Sequence, residues 1–236
     1  MAAGTTTIMT DPGGLTRLLS WLSPSFPVGA YSYSHGLEYA VEAGLVRNAG
    51  DLRGWIDTAL RHGTGHVDAA LFAAAHAAAR DPVRLADVLA TAAVFRGTAE
   101  LALESAAQGR AFLATIRAAW PTPELDEVDA LCRRAGIEPA YAPTVAVACA
   151  AHGLPLGASL AAFLHAFAAN LVSAGVRLIP LGQTDGQRTI AALEGPIRDA
   201  VDAALATDLD EVGTASPVID LCSMAHETQY TRLFRS

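Results

Sequence analysis

An all-α fold is what the 236-residue sequence predicts, on three observations. Hydrophobic residues make up 52% of it and aromatics only 6%, and the surplus is alanine, which suits closely packed helices. Apolar residues recur at helical spacing in one segment after another. No stretch shows sustained period-two alternation or a tight hairpin signal, so no sheet is expected. A chain of this length buries roughly 70% of its unfolded surface. The reading is one helical domain over 11–206 with about nine or ten helices, preceded by a disordered start at 1–10 and followed by a C-terminal docking tail at 207–236.

Asp11-Pro12 offers a cap followed by proline at the first helical position, and Leu15, Leu18, Leu19 and Leu22 form the stripe of a first helix. That helix runs into S-P-S-F-P-V-G-A-Y-S-Y-S-H-G-L-E at 23–38, a loop too rich in aromatics, prolines and hydroxyls to be a solvated linker. A second helix is expected from about Ser34 to Gly44. Asp51 caps a third, and Gly63 and Gly65 separate it from an alanine-rich fourth that ends near Arg80. Asp81-Pro82 repeats the cap-and-proline device, and a further pattern runs from Thr98 to Ala119. Trp120-Pro-Thr-Pro123 is a firm break before a short acidic helix ending at Gly136. Helices over 141–151 and 154–179 follow, then a break at Pro180 and a last helix from about Gln187 to Leu205, bent at Pro196.

Composition excludes several functions. The formal charge of −8 and the lack of a basic stripe argue against nucleic-acid binding, since neutralising phosphates needs clustered cations. All sixteen basic residues are arginine. A Walker A loop and a lysine Schiff base are thereby excluded, and any nucleotide belongs to a partner. Cys132, Cys149 and Cys222 are isolated and read as buried small hydrophobes. No signal peptide opens the chain, so a cytoplasmic location is expected. Residues 139–176 carry no Asp, Glu, Lys or Arg, but the interruptions and the alanine content favour a helix buried in protein or in an oligomer interface over a membrane span.

The candidate chemistry is thin. Ser34-His35 lies in a sequence like the nucleophile elbow, but Ser32 replaces its first glycine and no strand precedes it, so Ser34 reads better as a helix cap. His62, His66 and His76, with Asp68, form a possible metal set, which Gly63 and Gly65 disrupt by breaking the helix. Glu100 and Glu104 share a helix face, and Arg96 is spaced to pair with Glu100. Gln183, Asp185, Gln187 and Arg188 line a pocket or satisfy helix ends. The segment at 226–236, H-E-T-Q-Y-T-R-L-F-R-S, combines arginine with aromatics as protein interfaces do. It either docks a partner or folds onto its own domain.

Three segments in order, 23–38, R-L-I-P-L-G-Q-T-D-G-Q-R at 177–188 and 226–236, with the helix around Glu100 to Gly109, resemble the urease accessory protein F (UreF) family. The resemblance implies an all-helical, homodimeric scaffold without enzymatic activity. It implies partners too: urease accessory protein D (also called H), the GTPase accessory protein G, and apo-urease, which receives nickel. No cofactor would be bound directly, since the partners would handle nickel and GTP, and the scaffold would govern when GTP is hydrolysed. Tyr230, Arg232, Leu233, Phe234 and Arg235 match the tail that docks the D/H partner, and Tyr31 matches an aromatic position coupled to that tail. Gln183 matches a position near a suggested interior nickel route. The alternative is a protein that holds nickel itself through His62, His66 or His76.

Overall fold

The computed structural model describes residues 12–236; the expected disordered start at 1–10 and the Asp11 cap lie outside the described residues. Among the described residues there are twelve α-helices and no strand. They are α1 (Pro12–Trp21), α2 (Leu37–Glu42), α3 (Ala49–His62), α4 (Thr64–Ala78), α5 (Pro82–Val94), α6 (Ala99–Ala119), α7 (Pro123–Ala135), α8 (Tyr141–Ala151), α9 (Leu156–Leu178), α10 (Gln183–Ala192), α11 (Glu194–Ala206) and α12 (Pro217–His226). Single 3₁₀ turns occupy Ala30–Ser32 and Leu209–Glu211.

The all-α class stands, and the larger helix count has two sources. The pattern expected from Gln187 to Leu205 is two helices, broken at Leu193, and the first begins at Gln183 directly after the Pro180 break. Pro196 falls in the first turn of α11, where a missing N–H has no helical partner to lose. The second source is α12, inside the stretch read as a tail. Two caps also differ from expectation. Asn48, not Asp51, opens α3, its side chain accepting the Gly50 and Asp51 N–H groups; Asp51 reaches back to accept from the Arg47 N–H at 2.9 Å. Gly36, not Ser34, precedes α2. Asp81 caps α5 as expected, accepting from Val83 and Arg84.

At the centre α4 and α8 lie against each other. Ala142 through Cys149 are buried on every face of α8, the pattern of a helix with no solvent side. α6 crosses the start of α8 so closely that a β-carbon on Gly109 would stand 1.9 Å from the Pro139 carbonyl oxygen, so only glycine fits. α9 is the one described helix long and apolar enough to cross a membrane. It packs against α2, α3, α4, α8, α10 and α11, as a core helix does. α12 returns across the molecule to lie on α2 and α6, which places the end of the described chain beside the loop at 23–36.

Candidate functional site

The loop leaves α1 through Ser23 and Pro24, turns at Phe26, which is buried against Phe112 with ring centroids 5.1 Å apart, and ends in two consecutive residues with left-handed backbone. These are His35 (φ 53°) and Gly36 (φ 73°). At Gly36 this conformation is matched by close approach, since a β-carbon there would meet the Ser223 amide nitrogen of α12 at 2.7 Å. The loop therefore presents its backbone to α12 and to the residues after it.

Those residues complete the site. The Arg235 N–H donates to the Ser32 carbonyl at 2.8 Å, and the Ser34 N–H donates to the Ser236 main-chain oxygen at 2.6 Å. The Ser34 hydroxyl donates to that same oxygen. Glu38, in the first turn of α2, accepts the Leu233 and Phe234 N–H groups at 2.6 and 2.9 Å. Its Oε2 also faces His226 Nε2 at 3.0 Å, while His226 Nδ1 faces Glu100 Oε2 at 2.7 Å. Both ring nitrogens thus face carboxylate oxygens. Arg232 donates to the other Glu100 oxygen at 2.9 Å. Glu104 accepts from Gln108 at 2.8 Å and from the Ser236 hydroxyl at 2.9 Å, and pairs with His35 Nε2 at 3.0 Å.

Glu38, Glu100 and Glu104 are all buried, and each of their six oxygens has a partner. A buried carboxylate left unpaired would be costly, so the geometry is tolerable only because it is complete. Burial works against a charge on His35, but the Glu104 carboxylate, with Asp68 behind it, outweighs burial and raises its pKa. Arg177 joins the loop to the C-terminal segment on the outside. Its guanidinium stacks 4.4 Å from the centre of the Phe234 ring and donates to the Tyr31 carbonyl at 2.9 Å.

Tyr31 and His35 also border a cleft of about 610 Å³. Leu15 and Leu19 of α1 and Tyr31 stand at its edge, largely exposed. Small residues of α9, among them Ala158, Ala162, Ala166 and Ala169, form a facing wall. His35, Glu104, Gln108 and the ion pair of Arg96 with Asp68, 2.8 Å apart, also line it.

The residues read from the sequence are therefore placed as follows. Arg232, Leu233, Phe234 and Arg235 all belong to the segment held on the chain's own loop. Phe234 is buried and Arg232 is paired, whereas Tyr230 is fully exposed and Leu233 is 62% exposed. Tyr31 is exposed and is linked to Phe234 only through Arg177. Gln183 stands exposed at the first position of α10 and does not line the cleft. Ser34 and His35 are bonded to different partners and not to each other. His62 closes α3, with its carbonyl accepting the Ala215 N–H at 2.7 Å. His66 begins α4, its pKa lowered by burial and by His62. His76 contacts the Leu154 carbonyl at 2.9 Å, about 15 Å farther along the same helix. Among the described residues no group of three or more His, Cys, Asp or Glu side chains is arranged to hold a metal ion.

Sequence reasoning missed what Glu38 and Arg177 do and mistook the partner of Glu100. Arg96 reaches across to Asp68 instead, so Glu100 and Glu104 are neither a solvated face nor an Arg96 pair. A signal was present. Glu100, Glu104 and Gln108 form an i, i+4, i+8 polar stripe, with Thr98 and Ser105 beside it, on a helix otherwise rich in alanine.

The UreF family model matches residues 46–194. Urease accessory protein UreF of Granulibacter bethesdensis is 50% identical over 98% of this chain and 97% of its own length. Those of Bradyrhizobium sp. (strain ORS 278) and Rhodopseudomonas palustris (strain TIE-1) are each 50% identical over 94% of this chain and 92% of their own. The chain belongs to the UreF family. The family model spans α3 to α10, and the loop at 23–36 and the segment at 226–236 fall outside it. In this UreF-family chain the polar site joins these two stretches and Glu38 of α2 to Glu100, Glu104 and Gln108 of α6, which the family model covers.

Proposed function

We propose that the chain is a non-enzymatic scaffold in the cytoplasm that joins urease accessory protein D/H and the GTPase accessory protein G. In this reading the assembly delivers nickel to apo-urease and governs the timing of GTP hydrolysis, with nickel and GTP held by the partners. The observation that carries it is the surface made when 226–236 closes on the loop. Val218, Leu221 and Met224 lie on one face of α12 and are exposed, and Tyr230 and Leu233 follow them onto the surface. Arg232 and Phe234 hold this surface from within, and Tyr230, Leu233 and Arg235 offer their side chains to D/H.

The scaffold acts as a homodimer. The α1–α9 cleft is self-complementary, since α1 carries protruding Leu15 and Leu19 while α9 supplies small residues to receive them. One patch with both features suits a two-fold contact.

Co-expression with D/H and G followed by size-exclusion chromatography tests the reading. A joint complex at micromolar concentration is expected, and its absence would overturn the scaffold assignment. A Leu221→Asp, Leu233→Asp variant is expected to lose D/H by at least about tenfold, as central apolar contacts do, while its helical content stays that of the parent. Removing 226–236 is a coarser test, because it also removes His226 and Phe234 from the interior.

A further inference from the structure

We propose that occupation of the α1–α9 cleft by a second copy of the chain and closure of residues 232–236 on the loop strengthen each other. The proposal rests on the homodimer reading above. It follows from the thinness of the wall between the two sites. His35 and Glu104 line the cleft, yet Glu104 also accepts from the Ser236 hydroxyl at 2.9 Å. Ser34, next to His35, binds the Ser236 main-chain oxygen through both its N–H and its hydroxyl. Tyr31 stands at the cleft edge with its carbonyl held by Arg177, the same guanidinium that covers Phe234. Residues 31–36 therefore form one layer shared by both sites, with Tyr31 and His35 lining the cleft and Ser32 and Ser34 bound to the C-terminal segment.

That layer has a reason to relax when one side is lost. His35 holds a left-handed φ of 53°, which a residue with a β-carbon keeps only when its surroundings impose it. The impositions come from Glu104 in α6, from Thr64 Oγ1, 3.4 Å from Nδ1 in α4, from the edge-on Phe167 ring in α9, and from the Ser34–Ser236 bonds. Releasing 232–236 removes the last of these and leaves one Glu104 oxygen without its donor, so the cleft wall loses its shape. In the other direction, a second copy filling the cleft excludes water from the His35–Glu104 pair and strengthens it. The layer is held or released as a unit, and coupling between two binding events is reciprocal by linkage.

Sedimentation velocity over a concentration series of the full chain measures the dimer dissociation constant. Two variants alter the tail side: one lacks 232–236, which also removes the Ser236 donor to Glu104, and one carries Arg232→Ala, whose partner Glu100 does not line the cleft. Each is expected to weaken the dimer, by about tenfold for the deletion, with unchanged helical circular dichroism. In the unmodified protein, hydrogen exchange at the Leu233, Phe234 and Arg235 amides is expected to slow as concentration rises through the dimer transition. A dimer whose dissociation constant in both variants equals that of the unmodified chain, or tail exchange that does not change with concentration, would overturn the coupling and leave the dimer standing. A chain that stays monomeric throughout would overturn the dimer reading and the coupling together. A dimer unaffected by Leu19→Glu would show that the cleft is not the contact, and the coupling fails there too.

Discussion

Where α8 meets α4, the contact is made by alanine, valine, phenylalanine and cysteine, and the polar group buried in α8, Thr144, satisfies itself by donating to the Ala140 carbonyl one turn back. Where α12 meets α2 and α6, the centre is Glu38, Glu100, Glu104 and His226, bound to one another or to the residues that follow α12. The first contact is non-directional, and its strength lies in close packing that leaves no room for extra volume. Even its thiol is inert, since burial pushes Cys149 up to about 12. The second contact is directional, and losing one partner strands the others. An apolar contact of this kind fixes a fold, whereas a polar one can open and reclose without the fold being lost.

Glu38→Ala is expected to have the largest effect, confined to the polar contact. It leaves His226 with one carboxylate and frees the Leu233 and Phe234 N–H groups, and breaking a buried pair costs about 3–5 kcal/mol. Hydrogen exchange is expected to become fast across 226–236 while amides of α4 and α8 keep their protection. Loss of protection in both regions would mean that the two contacts are one cooperative unit. Ala146→Leu tests the other side. Ala146 is fully buried, and overpacking there is expected to cost about 1–3 kcal/mol, read as a lower global melting temperature with the C-terminal segment still docked. Arg177→Ala removes the stacking on Phe234 and the bond to Tyr31, for about 1 kcal/mol, and is expected to speed tail exchange alone.

The smallest effect is one of pH. Because its folded pKa is raised, with Glu104 outweighing the burial that opposes charge, His35 contributes stability that is fully present below its unfolded value, near 6.5. That contribution is lost as pH rises through the higher folded value. The melting temperature is therefore expected to fall on going from pH 6 towards alkaline pH, and His35→Gln is expected to remove part of that slope. A slope unchanged by the substitution would place the titration elsewhere.

The apolar half of this comparison was legible in the sequence and most of the polar half was not. Stripes of alanine, valine and leucine, the Asp81-Pro82 start and the Pro180 break report local conformation, and local conformation is what periodicity and capping encode. Glu38 carries no such mark. Its partners stand 195 and 196 residues away, and nothing in the spacing of a single glutamate announces them. Arg96 was misassigned for the same reason: the i, i+4 rule offered Glu100, and the fold offered Asp68 in another helix. The motif at 226–236 left open whether it docks a partner or folds onto its own domain, and the structure holds it on the chain's own loop and on Glu38.

The bond between Ser34 and Ser236 spans 202 residues, and that separation bears on the order of events in folding. Contacts this distant in sequence form late, because closing so long a loop is rewarded only after the intervening helices are in place. During synthesis the loop at 23–36 emerges early and must wait, with its left-handed turn unsupported, until almost every other residue has followed. The polar site therefore works as a completion mark: a chain cut before residue 232 can build the apolar core yet leaves Ser34, Glu38 and Glu104 without their C-terminal partners.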